Sequence, residues 1–231
     1  MISKMKNEGI IVKTIPYKET SKIVYLYTNE GFKSVKAIGA KKSKNSSFGF
    51  GEIGNIVSFI ASDSSFPTIS EYEIIYSSYK LTEDFNSIMA LGKIIELLNY
   101  IPEDSIHYRI YPFIKDIIMN IDKNPLKALT IYLIKMTYNF GVSPKLDSCI
   151  ICGNNNIIDF DVRLGGAICN NHSNNDNYLL KLMVEYYKEK KKIEEYNDYD
   201  FKKALEYLNE YYLIHTNIDL KIRWWDYENW F

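Results

Sequence analysis

GIIVKTIPYKETSKIVYLYTNEGFKSVKAIG, residues 9–39, decides how the chain begins to fold. Apolar and polar residues alternate through Ile23-Val24-Tyr25-Leu26-Tyr27 and again through Phe32-Lys33-Ser34-Val35-Lys36-Ala37-Ile38. A period of two sends successive side chains to opposite faces of a strand, so each run buries one face and wets the other. Between the runs stands Asn29-Glu30-Gly31, short enough for a tight hairpin. Ahead of them, GIIVKTI (9–15) reads as a further strand.

The same signal continues downstream in IGNIVSFIA (53–61) and TISEYEIIYSSY (68–79), with Gly, Pro, Ser or Asn between most of the pieces. Five short strands within residues 1–80 predict a small closed barrel of the OB type, which hides its edges by curling on itself. Periodicity alone does not exclude an SH3-like barrel or a small sandwich.

Charge divides along the chain as the fold does. Residues 1–50 carry ten lysines against Glu8, Glu19 and Glu30, a net of +7, so the remaining 181 residues carry −8 to give the chain's −1. A basic head suggests a polyanion partner; a solvated lysine surface is the plain alternative. AKKSKNSSFGFGE (40–52) adds a basic Gly/Ser-rich loop with two phenylalanines. Lysines neutralise phosphates, and an exposed ring stacks on a base for about 1–3 kcal/mol. The expected nucleic-acid contacts are Lys13, Lys22, Lys36, Lys41, Lys42 and Lys44, with Phe48 and Phe50 as stacking surfaces. The alternative for the two rings is that they plug the end of the barrel.

From Leu81 the pattern turns helical. Thr82 is the expected cap of a helix whose Phe85, Ile88, Met89 and Ile95 share a face. NPLKALTIYLIKMTYNFG (124–141) has Asn124 at the N-cap, Pro125 in the first turn and Gly141 past the end. It is apolar almost all round, as befits the central helix of a bundle. Residues 175–193 and 200–214 supply two more helices, the last with a stripe of Phe201, Leu205, Leu208 and Tyr212. The expected organisation is an OB-fold domain over 1–80, then an all-α helical bundle over 81–231 interrupted near 145–175.

That interruption holds all three cysteines of the chain: Cys149-x2-Cys152, sixteen residues, Cys169-x2-His172. Two knuckles of soft donors joined by a short hairpin place four ligands round one ion, and thiolate with imidazole at this spacing favours Zn²⁺. The link IIDFDVRLGGAI holds two β-prone pieces and a Gly165-Gly166 pair, the plan of a zinc ribbon. A zinc deaminase would need Glu two residues after the ligand His, where Asn174 stands. A redox dithiol would open a helix in a βαβ unit, and Cys149 follows Gly141-Val142-Ser143-Pro144 instead. Four protein ligands close the site, so one structural Zn²⁺ per chain is expected. There is no Walker loop, no G-x-G-x-x-G opening a helix and no G-x-S-x-G, and His107 and His215 on helical stretches read as structural. The chain is not expected to be an enzyme. MISKMKNEG lacks a signal-peptide core and no run reaches membrane-spanning length, which predicts a cytoplasmic protein without a membrane partner.

Taken in order, these pieces resemble the RecO recombination-mediator family. The strand Ile10–Ile15, the turn Tyr17–Ser21, Thr28-Asn29-Glu30-Gly31 and the small-basic run Gly39-Ala40-Lys41-Lys42 follow its opening. The Cys-x2-Cys-Gly…Cys insertion, Tyr211-Tyr212-Leu213-Ile214-His215 and Leu220-Lys221-Ile222-Arg223 follow its close. His172 stands where the family more often has cysteine, and the aromatic tail 224–231 departs from the pattern. The resemblance implies a bacterial, nucleoid-associated DNA repair protein that binds single- and double-stranded DNA and anneals complementary strands. It also implies work with RecR and RecF to load RecA onto DNA coated by the single-strand-binding protein. The acidic tail of that coat protein would be recognised by the helical domain, with Lys221 and Arg223 as candidates by charge. An RNA-directed OB module and a non-catalytic protein adaptor are the alternatives.

Overall fold

In a computed structural model that describes residues 7–41, 50–173 and 196–224, the 9–39 stretch is three antiparallel strands, β1 (Asn7–Tyr17), β2 (Ser21–Thr28) and β3 (Gly31–Ala37). The expected hairpin closes in two residues, Asn29 and Glu30. Thr28 fixes it: its hydroxyl donates to the Gly31 carbonyl at 2.8 Å and accepts the Glu30 amide at 3.1 Å. Gly31 has φ +96°, and a Cβ there would sit 3.1 Å from the His107 ring, so the turn needs glycine on both counts.

β4 (Ile56–Ala61) and β5 (Ile69–Tyr76) complete one sheet in the order β3-β2-β1-β4-β5. Its inner face is apolar, with Ile11, Val24, Leu26, Val35, Val57 and Phe59 in one cluster. The two edges approach one another, and Lys36 of β3 bridges Thr68 in parallel sense while its amide donates to the Pro67 carbonyl at 2.8 Å. β4 starts three residues later than the expected 53–61, because Gly54 (φ +85°) and the Asn55→Glu52 amide bond at 3.2 Å make a turn there. Past Tyr76 the chain enters a 3-10 turn, Ser78–Glu83.

The cap of α1 (Phe85–Leu98) corrects the sequence reading. Asp84, not Thr82, accepts the Ser87 amide at 2.8 Å, while the Thr82 hydroxyl donates to the Tyr79 carbonyl inside the 3-10 turn. The buried stripe is Ser87, Ala90, Leu91, Ile94, Ile95 and Leu98, leaving Phe85 and Ile88 exposed. The small residues Ser87 and Ala90 begin this stripe, so bulky apolar side chains alone do not mark the buried face. α2 (His107–Met119) packs its Tyr111 and His107 against Tyr27 of β2, and Tyr111 and Lys115 both hold Glu8 of β1, at 2.8 and 2.7 Å. These helices therefore belong with the sheet in one compact unit, Met1–Lys123.

The second unit is Asn124–Phe231. α3 (Pro125–Asn139) is as predicted: Asn124 caps it by accepting the Lys127 amide at 2.8 Å, and Gly141 follows with φ +70°. β6 (Ile157–Asp161) and β7 (Gly166–Cys169) form an antiparallel hairpin. α4 (Asp198–Thr216) starts with a capping box of Asn197 and Asp200 and buries Phe201, Leu205, Leu208 and Tyr212, the predicted stripe. Its Tyr212 hydroxyl reaches the Leu133 carbonyl of α3 at 2.7 Å. The helix expected over 175–193 lies outside the described residues. Among those described, no helix is long and apolar enough to cross a membrane.

Candidate metal centre and nucleic-acid interface

The hairpin β6–β7 brings both knuckles together. Asp161 makes its turn, accepting the Arg163 and Leu164 amides at 2.8 and 2.9 Å, and Gly165 follows at φ +74°. Upstream, Lys145 bridges Gly166 and the Ile150 amide donates to the Ala167 carbonyl at 2.8 Å, so the Cys149 knuckle lies against β7. The ligand atoms of Cys149, Cys152, Cys169 and His172 all fall within 4.8 Å of one another. Cys152 Sγ is 3.7 Å from Cys169 Sγ, and His172 Nδ1 is 3.5 Å from Cys149 Sγ and 3.3 Å from Cys169 Sγ.

Those separations discriminate between chemistries. A disulfide needs about 2.05 Å between sulfurs, which excludes a bond between Cys152 and Cys169. Tetrahedral ligation at zinc-like bond lengths puts two sulfurs about 3.8 Å apart and a sulfur and nitrogen about 3.6 Å apart. The donors fit a metal ion. Burial pushes the Cys149 thiol up, but the backbone amides of Cys152, Cys169 and Ile151, with the His172 ring, outweigh it and hold it down to about 5. A buried thiolate cradled by amides is a ready ligand.

The basic strands present a different surface. Ile10 pairs with Tyr27 and Ile11 with Leu26, then the register skips Val12 and Lys13 pairs with Tyr25. Ile11 and Leu26 are core residues, so strict alternation would have turned Lys13 inward. The bulge at Val12 re-aims it outward. Beside that row lie Ile15, Ile23 and Lys36. Lys13 Nζ sits 5.7 Å from the Tyr25 ring centroid, and Lys36 Nζ 4.7 Å from that of Phe66. Phe66 meets Tyr17 edge-on at 6.4 Å, Lys18 Nζ lies 5.5 Å from the Tyr17 ring, and Lys41 Nζ donates to the Lys18 carbonyl at 3.3 Å. Lys36, Phe66, Tyr17, Lys18 and Lys41 thus form one strip of cations and rings, and the Lys13–Tyr25 pair on the adjacent register row extends it.

The expected contacts sort unevenly on this map. Lys13, Lys36 and Lys41 lie on the strip. Lys22 instead pairs across to the core residue Ala37 and sits 3.7 Å from Glu52, so part of its charge is already matched. Phe50 is 1% exposed in the sheet's core, 4.9 Å from Tyr72, which corrects its reading as a stacking surface; it is the plug. Lys42, Lys44 and Phe48 lie outside the described residues. The strip also takes in Tyr17, Lys18, Tyr25 and Phe66, which the sequence reading did not name; strand alternation marks Tyr25 on β2, whereas Phe66, between β4 and β5, reaches Lys36 only through the fold. In the second unit, Lys221 and Arg223 are exposed between buried Leu220, Ile222 and Trp224, so both face outward, Lys221 with a left-handed backbone at φ +49°.

Comparison with known proteins places both halves of the chain in one family. Residues 1–78 match the family model described as recombination protein O N terminal, and residues 82–223 that of recombination protein O C terminal. A DNA repair protein RecO of Bacillus mycoides (strain KBAB4) is 31% identical over 94% of this chain and 94% of its own. Proteins of the same name from Bacillus cereus (strain AH187) and Bacillus anthracis (strain CDC 684 / NRRL 3495) are 32% identical over 75% of this chain and 72% of theirs. Matched in both halves and nearly end to end, the chain belongs to the RecO family of DNA repair and recombination proteins.

Proposed function

We propose that this protein is a cytoplasmic recombination mediator that binds DNA through an OB-type barrel and anneals complementary strands. The observation that carries the reading is the strip of Lys13, Tyr25, Lys36, Phe66, Tyr17, Lys18 and Lys41 on the outside of β1–β3. The strand order and the parallel bridge from Lys36 of β3 to Thr68, just ahead of β5, support the OB assignment, with residues 1–80 as the DNA-binding domain. Annealing needs two polyanions side by side. Lysines on the strip lower their mutual repulsion, exposed rings hold bases by stacking, and pairing energy comes from the nucleic acid itself. No bond is made or broken by the protein.

The metal is zinc, and with four protein donors it contributes folding energy to the second unit rather than chemistry. Cooperation with RecR and RecF in loading RecA onto DNA coated by the single-strand-binding protein follows from the family. Lys221 and Arg223, the paired outward cations, are the proposed contact for that coat protein's acidic tail. Family membership gives the RNA-directed and adaptor readings no support.

Strand annealing by the purified protein at two salt concentrations tests the reading. We expect annealing at low salt, weakening steeply as salt rises. The variants K13E/K36E and K41E/K42E/K44E should lose it while melting normally. Annealing that ignores both salt and these charges would overturn the proposal.

A further inference from the structure

Two of the metal ligands, Cys149 and Cys169, are seated by backbone hydrogen bonds and strand pairing, whereas His172 lies beyond the strand. Cys149 is held by its amide to the Asn154 carbonyl and by Gly153 to its own carbonyl, both at 2.8 Å, and Cys169 ends β7. His172 lies three residues beyond that strand. The amides that fold its turn, His172 at 2.9 Å and Ser173 at 3.0 Å, both donate to the same Cys169 carbonyl, so these two bonds tie the turn to its own start. A side-chain bond ties its far end to the hairpin: the Ser173 hydroxyl donates to Asp159 Oδ2 at 2.6 Å. Asp159 is a β6 residue, 5% exposed, opposite Ile168 of β7. Its other oxygen accepts the Phe160 amide at 2.7 Å.

A buried carboxylate is costly unless each oxygen is matched, and here both are. The hydroxyl bond has the short length of a charge-assisted contact. We infer that Asp159 and Ser173 are positioning residues of the metal centre: they bolt the Cys169–His172 turn to β6 and so hold the imidazole at the fourth ligand position. This rests on the reading of the four-residue cluster as a metal site. The bolt matters more here than it would for a fourth cysteine on a short rigid knuckle, because a His ring must be set in both distance and plane.

Full-length protein loaded with Co²⁺ provides the test, since its visible d–d bands report the donor set and its loss to a chelator gives a release rate. S173A should release metal about 10–100-fold faster, the usual effect of removing an outer-shell partner, with bands shifted toward those of H172A. D159N, which keeps the side chain's shape, should behave likewise, and S173T, which keeps the hydroxyl, should match the unsubstituted protein. Unchanged bands and release in S173A and D159N would overturn the inference alone. A chain that takes up neither Co²⁺ nor Zn²⁺ would overturn the metal reading together with it.

Discussion

Phe50 and Tyr25 are two rings of one sheet in different surroundings. Phe50 fills the core beside Tyr72 with 1% exposure; Tyr25 lies half-buried on the outer face with Lys13 over it. F50A should therefore cost about 3–5 kcal/mol of stability, the usual penalty for emptying a buried aromatic site, read as a lower denaturant midpoint. Y25A and F66A should leave that midpoint nearly unchanged and each weaken binding of a single-stranded oligonucleotide by about 1–3 kcal/mol, read by titration. Normal binding by both Y25A and F66A would remove stacking from the account. Sequence could not separate these rings: Phe50 sits in a Gly/Ser-rich loop that looks exposed, and only the fold turns it inward.

Elements were legible wherever their signals were local. The tight β2–β3 turn, the Asn124 cap with Pro125 and Gly141, and the Cys-x2-Cys and Cys-x2-His knuckles all act within a few residues, and each stands where it was read. Signals that depend on a partner were not legible. The bulge at Val12 comes from pairing with β2, and the facing of α1 from Leu91, which would lie 2.6 Å from a Cβ on Gly54. At this scale α1 gives a clean comparison. D84A removes the acceptor for the Ser87 amide and should cost about 0.5–2 kcal/mol in chemical denaturation. T82A removes one exposed bond within a 3-10 turn and should stay within about 0.5 kcal/mol of the unsubstituted protein. Equal losses would restore Thr82 as the cap.

Across the whole molecule the decisive quantity is where charge lies. Residues 1–50 carry a net +7, whereas residues 51–123 carry five cations against eleven acids, so opposite charges share the first compact unit. On the proposed reading a polyanion is drawn to its β1–β3 half and repelled by its β4–β5 and helical half. Not every lysine of the basic half can answer a phosphate: Lys33 is bound to Glu30, and Lys22 lies beside Glu52. Each lysine that meets a phosphate releases a counterion, and for single strands the logarithm of affinity falls against the logarithm of salt by about 0.7 per contact. K13A/K36A should accordingly flatten that slope by about 1.4, while K22A/K33A should leave it almost untouched, although both pairs remove the same formal charge. The measurement is oligonucleotide affinity by anisotropy over a salt series for the three proteins. Equal flattening by the two pairs would mean that net charge alone draws the strand in. A difference between them would mean that the strip on β1–β3 is the surface it lies on, aimed there by one extra residue in the first strand.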